Sequence, residues 1–219
     1  MTDKLKLVIA SNNKGKLEEL KTMLEPLGYQ LFSADEVGAP EVDETEHTFE
    51  GNSRLKAVET MKHTGLACLA DDSGLCVHCL DNRPGVYTAR YNDAKTKGYP
   101  QAFAKLNAEM GEASDRSAHF ECCLAIAFPN GHVETVMGQV RGTIVYPAQG
   151  EKGFGYDPMF VPDGYDKTFA ELPAEVKNKI SHRARALLLM KDILSNLQPA
   201  DRMSMQQVPN FPRIEGNSR

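Results

Sequence analysis

Leu5 to Ala10 form a short apolar run that breaks directly into a polar, basic turn, Ser11-Asn12-Asn13-Lys14-Gly15-Lys16. Leu17, Leu20, Leu24 and Leu27 then recur at helical spacing until Gly28 ends the pattern. A central strand feeding an amphipathic helix is a βα unit, which points to layered α/β architecture. Tyr29 to Ser33 supplies a second strand.

The same mixture continues along the chain. Residues 35–48 are acidic and irregular, and a helix is expected from about Thr48, its N-cap, to His63. Asn52, Lys56 and Glu59 share one face of it. Leu66 to Ala70 reads as a strand that Asp71-Asp72-Ser73-Gly74 closes abruptly, and Leu75 to Leu80 as another short run. A helix follows over about 101–110, and His119 to Phe128 alternates as a half-buried strand does. Pro129-Asn130-Gly131 turns into a strand pair around 132–146, and the last strong helix starts near Ser181. Helical units and antiparallel hairpins from end to end define an α/β or α+β domain over residues 1–197. Residues 198–219, with Pro199, Pro209 and Pro212 and no periodicity, read as a disordered tail, partly vector-derived at 213–219.

A chain of 219 residues fits one domain, or two small lobes around a cleft. Thirty acidic against twenty-five basic residues, a net charge of −5, disfavour wrapping nucleic acid but leave room for a local anion pocket. No apolar run reaches the roughly 18 residues of a membrane span, and the start lacks a signal peptide's apolar core, so a cytoplasmic protein is expected. The five cysteines sit in or beside apolar runs. Cys76 and Cys79 have C-x-x-C spacing but no second ligand pair, so all five are read as small buried hydrophobes.

Three polar stretches fall where strands end or helices begin. Ser11 to Lys16 offers outward backbone amides, a helix N-terminus and two lysines, which suits a phosphate. Asp71-Asp72 after an apolar strand places two carboxylates where unpaired burial would cost several kcal/mol. A hard divalent cation shared with substrate phosphates resolves that conflict, and a simple turn pair is the plainer alternative. Gly153-Phe154-Gly155-Tyr156-Asp157-Pro158, with Lys177 and Ser181-His182-Arg183, offers an aromatic that a flat ligand can approach, and donors beside it.

Together with Thr48-Phe49-Glu50-Gly51-Asn52, Lys56 and Pro84 to Tyr91, these segments span about residues 5–195. In that order they resemble the inosine triphosphate pyrophosphatase family, enzymes that hydrolyse deaminated purine nucleoside triphosphates. The resemblance implies hydrolysis of ITP, dITP and XTP to the monophosphate and pyrophosphate with Mg²⁺. It also implies an elongated α/β fold whose long mixed sheet bridges two lobes, with the nucleotide between them, and a homodimer. Asp72 matches the family's proton acceptor and metal ligand, and Glu44 its second metal carboxylate. Ser11, Asn12, Asn13, Lys14, Gly15, Lys16 and Ser73 match phosphate-side contacts, and Asn52 and Lys56 belong to the second motif. Phe154, Gly155, Tyr156, Asp157, Lys177, His182 and Arg183 match substrate contacts, the last ones near the base. Two positions depart from the family pattern: Glu46 replaces a common glycine, and Gly51 a common glutamate.

The chemistry of the residues agrees with that assignment. Asp72 and Glu44 are expected to hold Mg²⁺ and to orient or deprotonate a water attacking the α-phosphorus. Lys16 and Lys56 would neutralise the departing pyrophosphate. Arg183 can only donate, so it favours a 6-carbonyl over adenine's amino group by about 1–3 kcal/mol. Two other readings are a pyrophosphatase for other modified nucleotides, pyrimidines included, and a nucleotide-binding module without catalysis.

Overall fold

The computed structural model describes residues 4–11, 13–91 and 98–206. Seven strands form one curled mixed sheet: β1 (Lys6–Ala10), β2 (Gln30–Ser33), β3 (Cys68–Val77), β4 (Arg83–Pro84), β5 (Ser117–Ala127), β6 (Val133–Ile144) and β7 (Phe160–Pro162). Their order is β2-β1-β3-β5-β6-β7, with β4 paired to β3. β1 lies parallel to β2 and β3, whereas the other pairs are antiparallel. Among the described residues six helices accompany the sheet: α1 (Lys14–Leu24), α2 (Phe49–Thr64), α3 (Tyr99–Met110), α4 (Ala174–Ile180), α5 (His182–Ser195) and α6 (Pro199–Gln206).

Alternation along the strands assigns each face its cover. At the β1 end, Leu7, Ile9 and Leu69 pack with Leu20 and Leu24 of α1 and with Leu187, Met190 and Leu194 of α5. Val8, Ala10, Cys68 and Ala70 face the other way, onto Ala57 and Met61 of α2. Both faces of β1 are therefore covered, as parallel pairing requires. At the far end a separate core gathers Leu75, Val77, Phe120 and Val140 beneath Phe103 and Leu106 of α3, with Phe160 and Phe169. Leu69 and Leu75 belong to different cores yet lie on one face of β3. Asp71 and Ser73 fall between them, and the two lobes part at that polar gap.

Three expectations change. No turn closes the strand at Asp71–Gly74: β3 pairs with β5 without interruption from Cys68↔Ala127 to Val77↔Ala118. Tertiary partners satisfy the carboxylates, so the chain has no need to leave the sheet. The strand pair expected around 132–146 is one long strand, β6. The expected tail is helical over 199–206: Met205 is buried in the α1–α5 core, and Asp201 accepts hydrogen bonds from Asn130 and His132. Its anchors lie about seventy residues away in sequence, so local periodicity carried no trace of them. The rest of the tail lies outside the described residues.

Candidate active site

The gap between the cores is a cleft. Its walls come from the end of β1, the start of α1, the 40–44 loop, the middle of β3, residues 86–90, the 154–157 loop and the junction of α4 with α5. At one end Asn13 caps α1, its side chain accepting from the Lys16 amide at 3.2 Å. Ser11, Asn13 and Lys16 line the cleft. Lys14 is exposed outside the lining, and Asn12 lies outside the described residues. Gly15 serves packing: a Cβ there would stand 2.5 Å from Phe154 Cδ1, so only glycine lets this turn meet the aromatic loop.

Asp71 and Asp72 project to opposite faces of β3. Asp71 is wholly buried and receives four donors: Lys16 Nζ at 2.6 Å and Ser73 Oγ at 2.9 Å on Oδ1, Arg183 Nε at 2.8 Å and Cys122 Sγ at 3.1 Å on Oδ2. Burial pushes its pKa up, but Arg183 and Lys16 more than offset this and hold it well below the usual carboxylate range. The pairing continues on the far side of the guanidinium. Arg183 Nη1 donates to Glu19, Glu19 Oε1 lies 2.8 Å from Lys177 Nζ, and Lys177 Nζ lies 2.6 Å from Asp157 Oδ2. Lys16, Asp71, Arg183, Glu19, Lys177 and Asp157 thus form a chain of alternating sign with no net charge. It runs from the α1 end of the cleft to the aromatic loop.

At that loop Asp157 also accepts from the Phe154 amide at 2.9 Å. Gly153, at φ +73°, leaves room for this, since a Cβ there would lie 2.1 Å from Asp157 Oδ2. Lys177 Nζ sits 4.5 Å from the centre of the Phe154 ring. His182 stacks on Phe120 at 4.9 Å, and burial, with Arg183 adding to it, keeps the imidazole neutral. Its Nδ1 and the Tyr156 hydroxyl are buried without a partner among the described residues. Both residues line the cleft.

On the opposite face of β3, Asn52 Nδ2 donates to Asp72 Oδ2 at 3.0 Å, and Asn52 Oδ1 accepts from the Glu46 amide at 2.9 Å. One side chain therefore ties the 44–46 loop to Asp72. Glu44 is clasped by Lys56 Nζ at 2.6 Å and Arg90 Nη1 at 2.8 Å. Lys56 outweighs the burial of Glu44 and lowers its pKa. Asp72 has no such clasp. Burial pushes it up to about 6, against Lys56 and Lys16 and with help from Glu44.

The charge inventory bears on a metal. Five cations line the cleft, Lys16, Lys56, Arg90, Lys177 and Arg183, against six carboxylates, Glu41, Asp43, Glu44, Asp71, Asp72 and Asp157. A cleft of that balance repels a polyphosphate unless a cation comes with it. Asp72 and Glu44 offer the hard oxygens that Mg²⁺ takes, and their residual repulsion is what such an ion would relieve. Among the described residues no three His, Cys, Asp or Glu side chains form a metal cage. The remaining ligands would come from phosphate and water, as is usual for Mg²⁺.

The structure thus gathers Ser11, Asn13, Lys16, Glu44, Lys56, Asp72, Ser73, Phe154, Gly155, Tyr156, Asp157, Lys177, His182 and Arg183 around one cleft, with Asn52 directly behind. Two roles differ from expectation. Arg183 is buried and uses three of its five donors on Asp71, Glu19 and Ser73, so it is first the anchor of an ion chain. Asp71, expected only as half of a pair, is the centre of that chain. Glu19 went unnoticed because it reads as one exposed helix charge among several. Arg90 stood in a matching motif, yet its bond to Glu44 spans 46 residues.

The sequence pattern of the Ham1 family matches residues 7–193. A dITP/XTP pyrophosphatase of Gluconobacter oxydans is 49% identical over 182 residues, 83% of this chain and 87% of that protein. One from Ruegeria pomeroyi is 47% identical over 185 residues, 83% of this chain and 91% of that protein. The Ham1 protein of Staphylococcus aureus superimposes with a TM-score of 0.78 at 37% identity, covering 87% of this chain and 98% of its own. The nucleoside-triphosphatase / dITP/XTP pyrophosphatase of Mycobacterium abscessus does so at 0.69 and 43% identity, covering 84% and 98%.

Proposed function

The chain belongs to the Ham1 family, and on that premise we propose that it hydrolyses dITP, ITP and XTP to the nucleoside monophosphate and pyrophosphate. One observation carries the reading. Lys16, Lys56, Glu44 and Asp72 share a cleft with Phe154, Lys177, His182 and Arg183, which supports reading the first group as a polyanion cradle and the second as a ring-binding end. The triphosphate lies along the first turn of α1 toward Lys16 and Lys56, and the purine meets the aromatic loop.

Asp72 takes the proton of the attacking water. The water oxygen bonds to the α-phosphorus, and the bridging oxygen leaves with the pyrophosphate. Lys16, Lys56 and the α1 amides neutralise the charge that builds on it. Asp72 and Glu44 would hold Mg²⁺, which would supply charge neutralisation at the phosphates. Arg90 and Lys56 hold Glu44 in place for it. His182 Nδ1, the Tyr156 hydroxyl and the remaining Arg183 donors read the base edge. A 6-carbonyl satisfies donors that adenine's amino group leaves unpaired.

Pyrophosphate release from dITP, ITP, XTP, dUTP, dTTP and ATP, with and without Mg²⁺, tests this. Turnover confined to the deaminated purines and dependent on Mg²⁺ is expected, and binding without release would support the non-catalytic reading. The proposal extends to a cytoplasmic homodimer. Among the described residues no helix is long and apolar enough to cross a membrane. Sedimentation at micromolar concentration tests the dimer, and a monomer there would remove it.

A further inference from the structure

The alternating ion chain has one member shared between the two ends of the cleft. Asp71 binds Lys16, which faces the phosphates, through Oδ1 and Arg183, which faces the base, through Oδ2. It is fully buried, and its four acceptor positions are filled, so neither cation can move without disturbing a bond to the other. Ser73 reinforces the link, donating to Asp71 Oδ1 while accepting from Arg183 Nη2 at 3.0 Å. The core shared by α1 and α5 sets the helices that carry Lys16 and Arg183, and in the polar gap the ion pairs to Asp71 fix the charged ends of the two side chains relative to one another.

We propose that Asp71 is a positioning residue that couples occupancy of the base end to the placement of Lys16 at the polyphosphate end. Through it, base identity is expressed in kcat as well as in KM. The inference rests on the pyrophosphatase reading above. The acceptor positions of Asp71 are taken by protein donors, so it acts through Lys16 and Arg183. A base that engages Arg183 correctly keeps the guanidinium aligned on Oδ2, and the same carboxylate then presents Lys16 where charge builds on the leaving group. A base that displaces Arg183 disturbs Asp71, and Lys16 with it. Discrimination thereby gains a second contribution, through Lys16.

Double-mutant cycles on the full chain test this, with dITP and ATP as substrates. Lys16→Gln and Arg183→Lys are made singly and together, in the native background and in Asp71→Asn, with the Tm of each variant recorded. The expected result in the native background is non-multiplicative losses: the pair loses at least 10-fold less kcat for dITP than the product of the single losses. In Asp71→Asn the losses become multiplicative, and the dITP-over-ATP ratio of kcat falls at least 10-fold while KM for dITP changes less than 3-fold. Should Asp71→Asn fail to fold, the native-background cycle decides alone. Multiplicative losses there overturn the coupling, even with normal dITP turnover by the unmodified protein. No pyrophosphate from the unmodified protein overturns the pyrophosphatase reading, and this inference with it.

Discussion

Asp71 and Asp72 are joined by one peptide bond, yet they serve opposite sides of the sheet and opposite electrostatic ends. Asp71 faces α5, where Lys16 and Arg183 keep it ionised; Asp72 faces α2, where burial beside Glu44 pushes it up to about 6. Pleating of a continuous strand separates them. A turn at the same residues would have brought both charges together.

The raised Asp72 has a consequence for stability. An acid whose folded pKa exceeds its unfolded value favours the native state while protonated, and that contribution is lost as pH rises from about 4 through 6. In EDTA at pH 7.5, Asp72→Asn should therefore be more stable than the native protein, by up to about 3 kcal/mol. The advantage should shrink to about 1 kcal/mol at pH 4.5, and pyrophosphate release should be abolished. Thermal melts at both pH values decide, and a destabilised Asn variant at pH 7.5 would contradict the assignment.

Arg183→Ala should leave Asp71 and Glu19 buried without their shared cation, a loss of about 3–5 kcal/mol. Its Tm should drop by roughly 10 °C. Arg183→Lys should recover part of that stability but not the three-way geometry. Altered base preference is therefore best read in the lysine variant. An alanine variant with native Tm would show that the ion chain contributes little.

Glu46 and Gly51, the two positions where the sequence reading expects a departure from the family pattern, are neighbours in the structure. A Cβ on Gly51 would stand 2.7 Å from Glu46 Cβ and 3.0 Å from its Cγ. Gly51→Glu alone should distort the Glu44–Asn52 loop and raise the Mg²⁺ concentration needed for half-maximal activity at least several-fold. Adding Glu46→Gly should reverse most of it. Metal titrations of the two single variants and the double variant check this; simple summing of the two effects would count against the exchange.

Gly138 sets how closely α5 approaches the sheet. A Cβ there would meet the His182 carbonyl oxygen at 2.2 Å and the Ala186 amide at 2.3 Å, both in rigid backbone. Gly138→Ala should cost about 1–3 kcal/mol and push the α5 N-terminus, with His182 and Arg183, off the cleft. KM for dITP should rise with the loss of stability. Denaturant melts and initial rates test it, and unchanged KM would separate the helix position from binding.

Asp201 and Met205 make a stability prediction for α6. Deleting residues from Pro199 onward should uncover Leu194 and the core around it, and Met205→Ala alone should cost about 2–3 kcal/mol. Denaturation midpoints measure both, and a truncated chain as stable as the native one would show the helix to be dispensable.

The periodicity of leucines in α1, the Thr48 cap and the clean alternation of β5 depend on neighbours within a few residues, so the sequence alone determined them. It also determined the types and order of the cleft residues, because motifs keep their chemistry whatever surrounds them. What it left undecided were partnerships across long separations. Arg183 reaches Glu19 across 164 residues and Asp71 across 112, and Asp201 reaches His132 across 69. Whether a buried charge anchors the fold, binds substrate or titrates depends on which opposite charge stands beside it, and only tertiary packing brings those neighbours within reach. The tertiary structure therefore separated one aspartate from the next, kept β3 unbroken between them, and turned the expected base-reading arginine into an anchor as well.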